Sequence, residues 1–255
     1  MKIVAVIPAR YKSTRFPGKP LSDIHGKPMI WWVYQHCMMV SEFDTVCVAT
    51  DDKLIQKACN DLGMNVVMTS ESNLTGTDRV AEVAESVAAD LYVNIQGDEP
   101  LMEPHVMSAA IKPFYSDDNL LVTNCMTKIQ NPIDVVNPTV PKVITNADGE
   151  ALYLTRSACP HPKGSLNYDY YKQVCVYGFK PEALRMFREY GLNKGKAKME
   201  EIEDIEILRF IENGYRVKYV EVNSNSVAID TPKDLQKVNK IVDVMISNGT
   251  LDIVI

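Results

Sequence analysis

Two sets of charged residues in this 255-residue chain have the types and spacing to do phosphate chemistry. The first is a run of four cations, Arg10, Lys12, Arg15 and Lys19, directly after the apolar segment 3–7. Guanidinium groups grip phosphate oxygens in pairs and an ammonium supplies a point charge, so the set suits a polyphosphate. The second is a pair of aspartates, Asp98 in Gly97-Asp98-Glu99-Pro100 and Asp230 in Ile229-Asp230-Thr231-Pro232. Each follows a short apolar stretch. Two carboxylates facing phosphate oxygens form a common Mg²⁺ arrangement. Each aspartate is also placed to cap a helix, since a Pro-containing helix start follows it. The basic run, for its part, also fits a solvated surface turn. There is no GxxxxGK[ST] stretch and no GxGxxG stretch, so the loop belongs to neither of those nucleotide-binding types.

These groups are far apart along the chain, and a fold must bring them together. Segment 3–7 is β-branched and too short for a helix, so it reads as a buried strand. Pro8, Pro17, Gly18 and Pro20 end regular structure after it. A helix is expected through Trp31, Trp32, Val33, Tyr34 and Cys37, with the tryptophans in the core. Strand 43–49 and helix 53–62 follow, capped by Asp51 or Asp52 and stopped by Gly63. Then come strand 66–68, a helix opened by Thr75-Gly76-Thr77-Asp78-Arg79, and strand 91–95, which ends at Gln96. Consecutive β-α units predict a doubly wound, mixed and mostly parallel α/β sheet. Open sheets of this kind bind ligands at the carboxyl ends of their strands, where the cations and Asp98 sit. Further along, a helix at 104–111 and a strand at 120–126 are expected. The pattern then loosens: strands at 140–145 and 151–156 around the turn Asn146-Ala147-Asp148-Gly149, a strand at 173–179, and helices at 181–190 and 199–212. Strands at 217–222 and 226–229 and a helix at 232–246 close the chain. One domain, 1–255, with an inserted β-rich subdomain at about 128–215, is the expectation.

Composition narrows the function classes. A net charge of −6 and a pI near 5.3 argue against a nucleic-acid binder working through bulk charge, and make the basic loop a local feature. No apolar run reaches the ~18–20 residues that span a bilayer. The start leads straight into the first strand, which predicts no signal peptide. Six scattered cysteines without CxxC spacing read as reduced thiols of a cytoplasmic protein. The four histidines show no zinc spacing, and His161, between Pro160 and Pro162, reads as exposed.

Taken together, a set of motifs resembles one family. They are Ala9-Arg10-Tyr11, Ser13-Thr14-Arg15, Pro17-Gly18-Lys19-Pro20-Leu21, Gly26-Lys27-Pro28-Met29-Ile30, Ala49-Thr50-Asp51-Asp52, Gly76-Thr77-Asp78-Arg79, Gln96-Gly97-Asp98-Glu99-Pro100, Ala151-Leu152-Tyr153 and Asp230-Thr231-Pro232. In this order they are similar to 3-deoxy-manno-octulosonate cytidylyltransferases, and the likeness runs along almost the whole chain. The resemblance implies a nucleotide-diphospho-sugar transferase fold and a Mg²⁺-dependent reaction, in which CTP and a sugar acid give a CMP-sugar acid and pyrophosphate, in lipopolysaccharide or capsule biosynthesis. It implies that Ala9, Arg10, Ser13, Arg15, Lys19 and Gln96 bind the nucleotide, together with Thr75, Gly76, Thr77 and Arg79 around the cytidine. It implies metal binding by Asp98 and Asp230, catalysis by these two with Arg10 and Lys19, acceptor binding by Arg156, Gln173, Tyr177, Glu200 and Glu203, and a homodimer formed through the inserted subdomain.

The acceptor half departs from the family pattern. Gln173 stands where His is common, Ile207 where Gln is common, and Asn137-Pro138-Thr139-Val140-Pro141-Lys142 replaces Asn-Pro-Asn-x-Val-Lys. The acceptor is therefore open among 3-deoxy-manno-octulosonate, a modified octulosonate, another 2-keto sugar acid and a small phosphate- or phosphonate-bearing acid. Two rival readings are the same fold working on UTP or dTTP, and a non-catalytic nucleotide-binding relative. Residues 200–206 read as an acidic solvated helix face rather than a second metal site, in a neighbourhood that touches the acceptor.

Overall fold

In the computed structural model, residues 1–12, 16–164 and 168–253 are described. The first strand, β1 (Ile3–Ala9), is buried along its length. A 3₁₀ turn at Lys19–Leu21 and a small hairpin, β2 (Asp23–Ile24) with β3 (Lys27–Pro28), lead to α1 (Met29–Met38). Trp31 and Trp32 are both core residues there, the latter donating its indole N–H to Ile24 O. Next come β4 (Thr45–Thr50), α2 (Lys53–Asp61), β5 (Val66–Met68), α3 (Gly76–Ser86) and β6 (Leu91–Ile95). Asp52 caps α2, accepting from Leu54 N and Ile55 N, while Asp51 turns to Arg79. After α4 (Pro104–Ile111) and β7 (Val122–Lys128), the short α5 (Pro132–Val136) leads to the hairpin β8 (Lys142–Thr145) and β9 (Ala151–Thr155). Its turn is the expected one: Gly149 has φ +71° and Asn146 Oδ1 accepts from Asp148 N and Glu150 N. The chain ends with β10 (Tyr171–Phe179), α6 (Pro181–Lys194), α7 (Lys198–Glu203), α8 (Leu208–Glu212), β11 (Val217–Glu221) and α9 (Pro232–Asn248).

The strand order is β11-β7-β10-β6-β1-β4-β5, with β8 pairing β10 and β9 pairing β8. β1 runs parallel to both β4 and β6, and β10 runs antiparallel to β6 and β7. The chain leaves β1 on one side, builds β4 and β5, then returns to lay β6 on the other side. This reversal of winding opens a crevice at the carboxyl ends of β1 and β6. Each sheet face carries its own core. α1, α2, α4 and α9 cover one, and α3, α6 and α8 cover the other.

Two expectations are corrected. Residues 226–229 form no strand: the segment runs as an extended link whose Ile229 N–H goes to Asp98 O (2.9 Å) rather than to a sheet neighbour. The helix expected at 199–212 is two helices, broken at Asp204, whose φ is 50°. Ile205 and Ile207 are both buried, on either side of Glu206, which reaches back to α3. The chain between the helices is a tight turn: Ile207 has φ −63° and ψ −21°, Leu208 N–H donates to Ile205 O and Arg209 N–H to Glu206 O.

An ion cluster locks α3 to α7 and α8 beneath the second core. The Arg209 guanidinium is fully buried, donating to Asp78 Oδ1 at 2.7 Å and to Glu200 Oε1 at 2.6 Å. α6 crosses it through Gly191, where an added Cβ would lie 2.7 Å from Arg209 Nη1. Removing one member of such a cluster leaves uncompensated charge in the core. Arg209→Met is therefore expected to lower the unfolding free energy by ~3–5 kcal/mol, read from the urea midpoint.

Candidate active site

The crevice at the ends of β1 and β6 is a cleft of about 440 Å³. Its floor is tight. A Cβ on Gly97 would sit 3.0 Å from Pro8 O, so glycine lets the two strand ends come together. The same cleft is lined by Ala9, Arg10, Lys19, Asp98 and Asp230 from one side, and by Arg156, Gln173 and Tyr177 from the other.

Lys19 is the meeting point. Gly18, at φ +70°, turns the basic loop into the 3₁₀ turn that carries it. Its ammonium donates to Asp98 Oδ2 at 2.9 Å and reaches Asp230 Oδ1 at 3.4 Å. The backbone bond from Ile229 N to Asp98 O fixes the two aspartates side by side. Neither is a helix cap: Thr231 caps α9 with Asp234, and Glu103 occupies the N-cap position of α4. Two part-exposed carboxylates of this kind are hard oxygen donors that fit a divalent cation completed by phosphate oxygens and water. Among the described residues no group of three or more His, Cys, Asp or Glu side chains is gathered to hold a metal by itself.

On the side expected to hold the nucleotide, Thr75, Gly76, Arg79 and Gln96 also line the cleft. Thr75 caps α3, accepting from Asp78 N. Arg79 is buried and paired with Asp51 at 3.2 Å, with a further bond to Thr69 Oγ1. Thr77 is buried below the surface and is engaged by Glu206. Ser13 and Arg15 lie outside the described residues.

On the side expected to hold the acceptor, Arg156 is held by carbonyl oxygens of three residues. Nε donates to Glu203 O (2.5 Å), Nη1 to Pro138 O (3.0 Å) and Nη2 to Asp204 O (3.0 Å). Each terminal nitrogen keeps a second N–H, the pair a carboxylate takes. Gln173 donates to Asn124 Oδ1 at 2.8 Å. The buried Tyr177 has its hydroxyl pKa pushed well up by burial and then by the neighbouring Cys175. Glu200 and Glu203 are placed otherwise than expected. Glu200 is fully buried on Arg209 and Ala197 N, and Glu203 spends its carboxylate on Thr155 Oγ1 and Arg156 N. Neither lines the cleft, and the exposed positions of the run 200–206 are Glu201, Ile202 and Asp204.

Sequence reasoning passed over several residues. Glu206 Oε2 takes Thr77 N at 2.8 Å and Thr77 Oγ1 at 2.6 Å, seating a carboxylate on the amino end of α3. Burial raises its pKa, with the Thr77 and Gly76 hydrogen bonds working against the rise. Lys196 sits at the cleft edge, paired with Asp204 at 2.9 Å. The Lys196 hydrogen bond, with Arg156 and Arg10 nearby, holds the Asp204 carboxyl below its usual value. Glu99, beside Asp98, is pushed up to about 7 by burial and by the Asp98 charge. Only Glu206 and Glu99 carried a signal, as acids inside otherwise apolar or motif-bearing stretches.

The comparisons with known proteins decide the family. A cytidylyltransferase family profile matches residues 4–222. The chain belongs to the cytidylyltransferase family. A 3-deoxy-manno-octulosonate cytidylyltransferase of Geotalea uraniireducens is 42% identical over 93% of this chain and 98% of its own length. One from Geotalea daltonii is 42% identical over 93% of this chain and 97% of its own. A solved CMP:2-keto-3-deoxy-manno-octonic acid synthetase complexed with CTP is 35% identical. It superposes with a TM-score of 0.89 over 96% of this chain and 99% of that one. The fold is that of the nucleotide-diphospho-sugar transferases, and the chain is a CTP-dependent nucleotidyltransferase. No helix among the described residues is long and apolar enough to cross a membrane.

Two outcomes are expected of this cytidylyltransferase. Lys19→Ala lowers turnover by ~10²–10³, the loss typical of a donor aimed at developing charge, measured as pyrophosphate release. The raised Glu99 pKa means that the folded chain keeps a proton the unfolded chain has lost. Its contribution to stability is therefore full below about 4.5 and falls away as pH rises towards about 7. Glu99→Gln removes that decline, so its melting temperature gains on the parent as pH rises across this window.

Proposed function

We propose that the chain transfers CMP from CTP to 3-deoxy-manno-octulosonate or a closely related 2-keto sugar acid, with release of pyrophosphate. The observation that carries this reading is the convergence of Lys19, Asp98 and Asp230 in the cleft that Arg156 also lines. The nucleotide lies along Ala9, Arg10, Gln96 and the opening of α3, with Ser13 and Arg15 added from the basic loop. An acceptor hydroxyl oxygen attacks the α-phosphorus in line, the bond to the β-phosphate oxygen breaks, and pyrophosphate leaves. Positioning and neutralisation supply the catalysis. Arg156 turns the acceptor carboxylate with its two remaining terminal N–H groups, a paired task that suits guanidinium better than ammonium. Gln173 and Tyr177 wall the acceptor side, the latter as a neutral phenol. Lys19 and Arg10 face the charge that grows on the α-phosphate and the leaving group. Asp98 and Asp230 are the residues that would hold Mg²⁺. When bound, the ion supplies Lewis-acid polarisation of phosphate and acceptor oxygens.

A second reading keeps the reaction and changes the acid. Gln173 presents a neutral amide to the acceptor side, where the family commonly has His, and this suits a modified octulosonate, another 2-keto acid or a small phosphate- or phosphonate-bearing acid. Residues 128–215 serve as the acceptor-binding and dimerising part. Exposed Ile133 and Val136 on α5 and Leu152 on β9 support a homodimer through it. A cytoplasmic setting accords with six free cysteines.

The reading is tested with purified protein, Mg²⁺ and the four nucleoside triphosphates, each offered with 3-deoxy-manno-octulosonate. Pyrophosphate release is expected with CTP. Release with UTP alone, or with none, overturns the reading, and a panel of sugar acids and phosphonates separates the two acceptors. Asp98→Asn is expected to lose both turnover and its dependence on Mg²⁺ concentration. Unchanged dependence removes Asp98 from the metal site.

A further inference from the structure

We infer that Lys142 is a positioning residue of the acceptor half, holding Arg156 in the place from which it grips the substrate carboxylate; this rests on the acceptor reading above. Lys142 opens β8, and its side chain is fully buried. Its ammonium donates to Asn137 O at 2.9 Å and to Arg156 O at 2.6 Å. No carboxylate lies within ion-pair distance of it among the described residues. Burial, and then the nearby Arg156 charge, lower its pKa. An ammonium held this way is unfavourable for folding unless its bonds do something that a buried methionine would not.

Its two partners show what that is. Asn137 begins the segment whose Thr139 and Pro141 face the cleft, and Arg156 lines the same cleft. β8 and β9 pairing sets Lys142 opposite Thr155, and the Lys142 side chain adds a tie between Asn137 and Arg156, on the two walls beside that ladder. Arg156 closes the loop from above: its Nη1 returns to Pro138 O, in the segment Lys142 holds. The two cations interlock, each fixing the backbone around the other. Glu203 completes the clamp by accepting Arg156 N at 2.8 Å. The clamp fixes the Arg156 guanidinium in place. A shift on the order of 1 Å in such a group is enough to lower rates about a hundredfold.

The test compares steady-state kinetics of the parent and Lys142→Met, after parent turnover with a sugar acid has been shown. A parent that releases no pyrophosphate with any acid overturns the acceptor reading itself, and is recognised before any variant is made. With an active parent, Lys142→Met is expected to raise the KM for the acid about tenfold or more, as for loss of a well-made buried hydrogen bond. The KM for CTP and CTP-induced thermal protection stay as in the parent. Arg156→Ala added to Lys142→Met is expected to cost no more than Arg156→Ala alone, because the two act as one unit. Equal rises in both KM values, additive losses, or an unchanged acid KM overturn the inference. Should Lys142→Met fail to bind CTP, Lys142→Gln, which keeps a donor and drops the charge, carries the same comparison.

Discussion

One ammonium group sets the terms for this site. Lys19 stands between Asp98 and Asp230, and each of the three comes from a different part of the chain: the loop after β1, the end of β6 and the lead into α9. Two aspartates this close repel each other, and the cation between them makes their approach favourable before any substrate arrives. The backbone bond from Ile229 to Asp98 holds together the two chain segments that carry the aspartates. Everything else in the cleft is measured from this point, because it sets the charge pattern of the opening.

The sheet makes such an encounter possible. Winding reverses after β5, so β1 and β6 become neighbours with nothing crossing between their carboxyl ends. Gly97 then lets the ends approach to van der Waals limits. β10 enters antiparallel beside β6 and brings Gln173 and Tyr177 to the same opening. Both halves of the cleft thus rest on adjacent strands of one sheet.

The acidic stretch 200–206 shows how much of an active site is scaffolding. Glu200 neutralises Arg209 in the core, Glu203 holds Arg156, and Glu206 seats the amino end of α3. These three reach three different partners because α7 gives way at Asp204, in the left-handed region, to a turn that leads into α8. This short segment joins the Arg156 wall of the cleft to α3 and to the second core.

Most of the strands, the doubly wound class and the roles open to Asp98 and Asp230 were legible in the residues, because apolar periodicity and strand-end punctuation are local signals; the strand expected at 226–229 was not formed. Motif order carried the family. The linear chain could not show that Asp230 leaves the cap of α9 to Thr231 and Asp234, whose reciprocal bonds appear only in the folded geometry. Nor could it show that Glu200, Glu203 and Lys142 work below the surface rather than at it, because a charge has the same letter in water and in a core. Burial comes from contacts between segments distant in sequence, and those exist only once the sheet has brought them together.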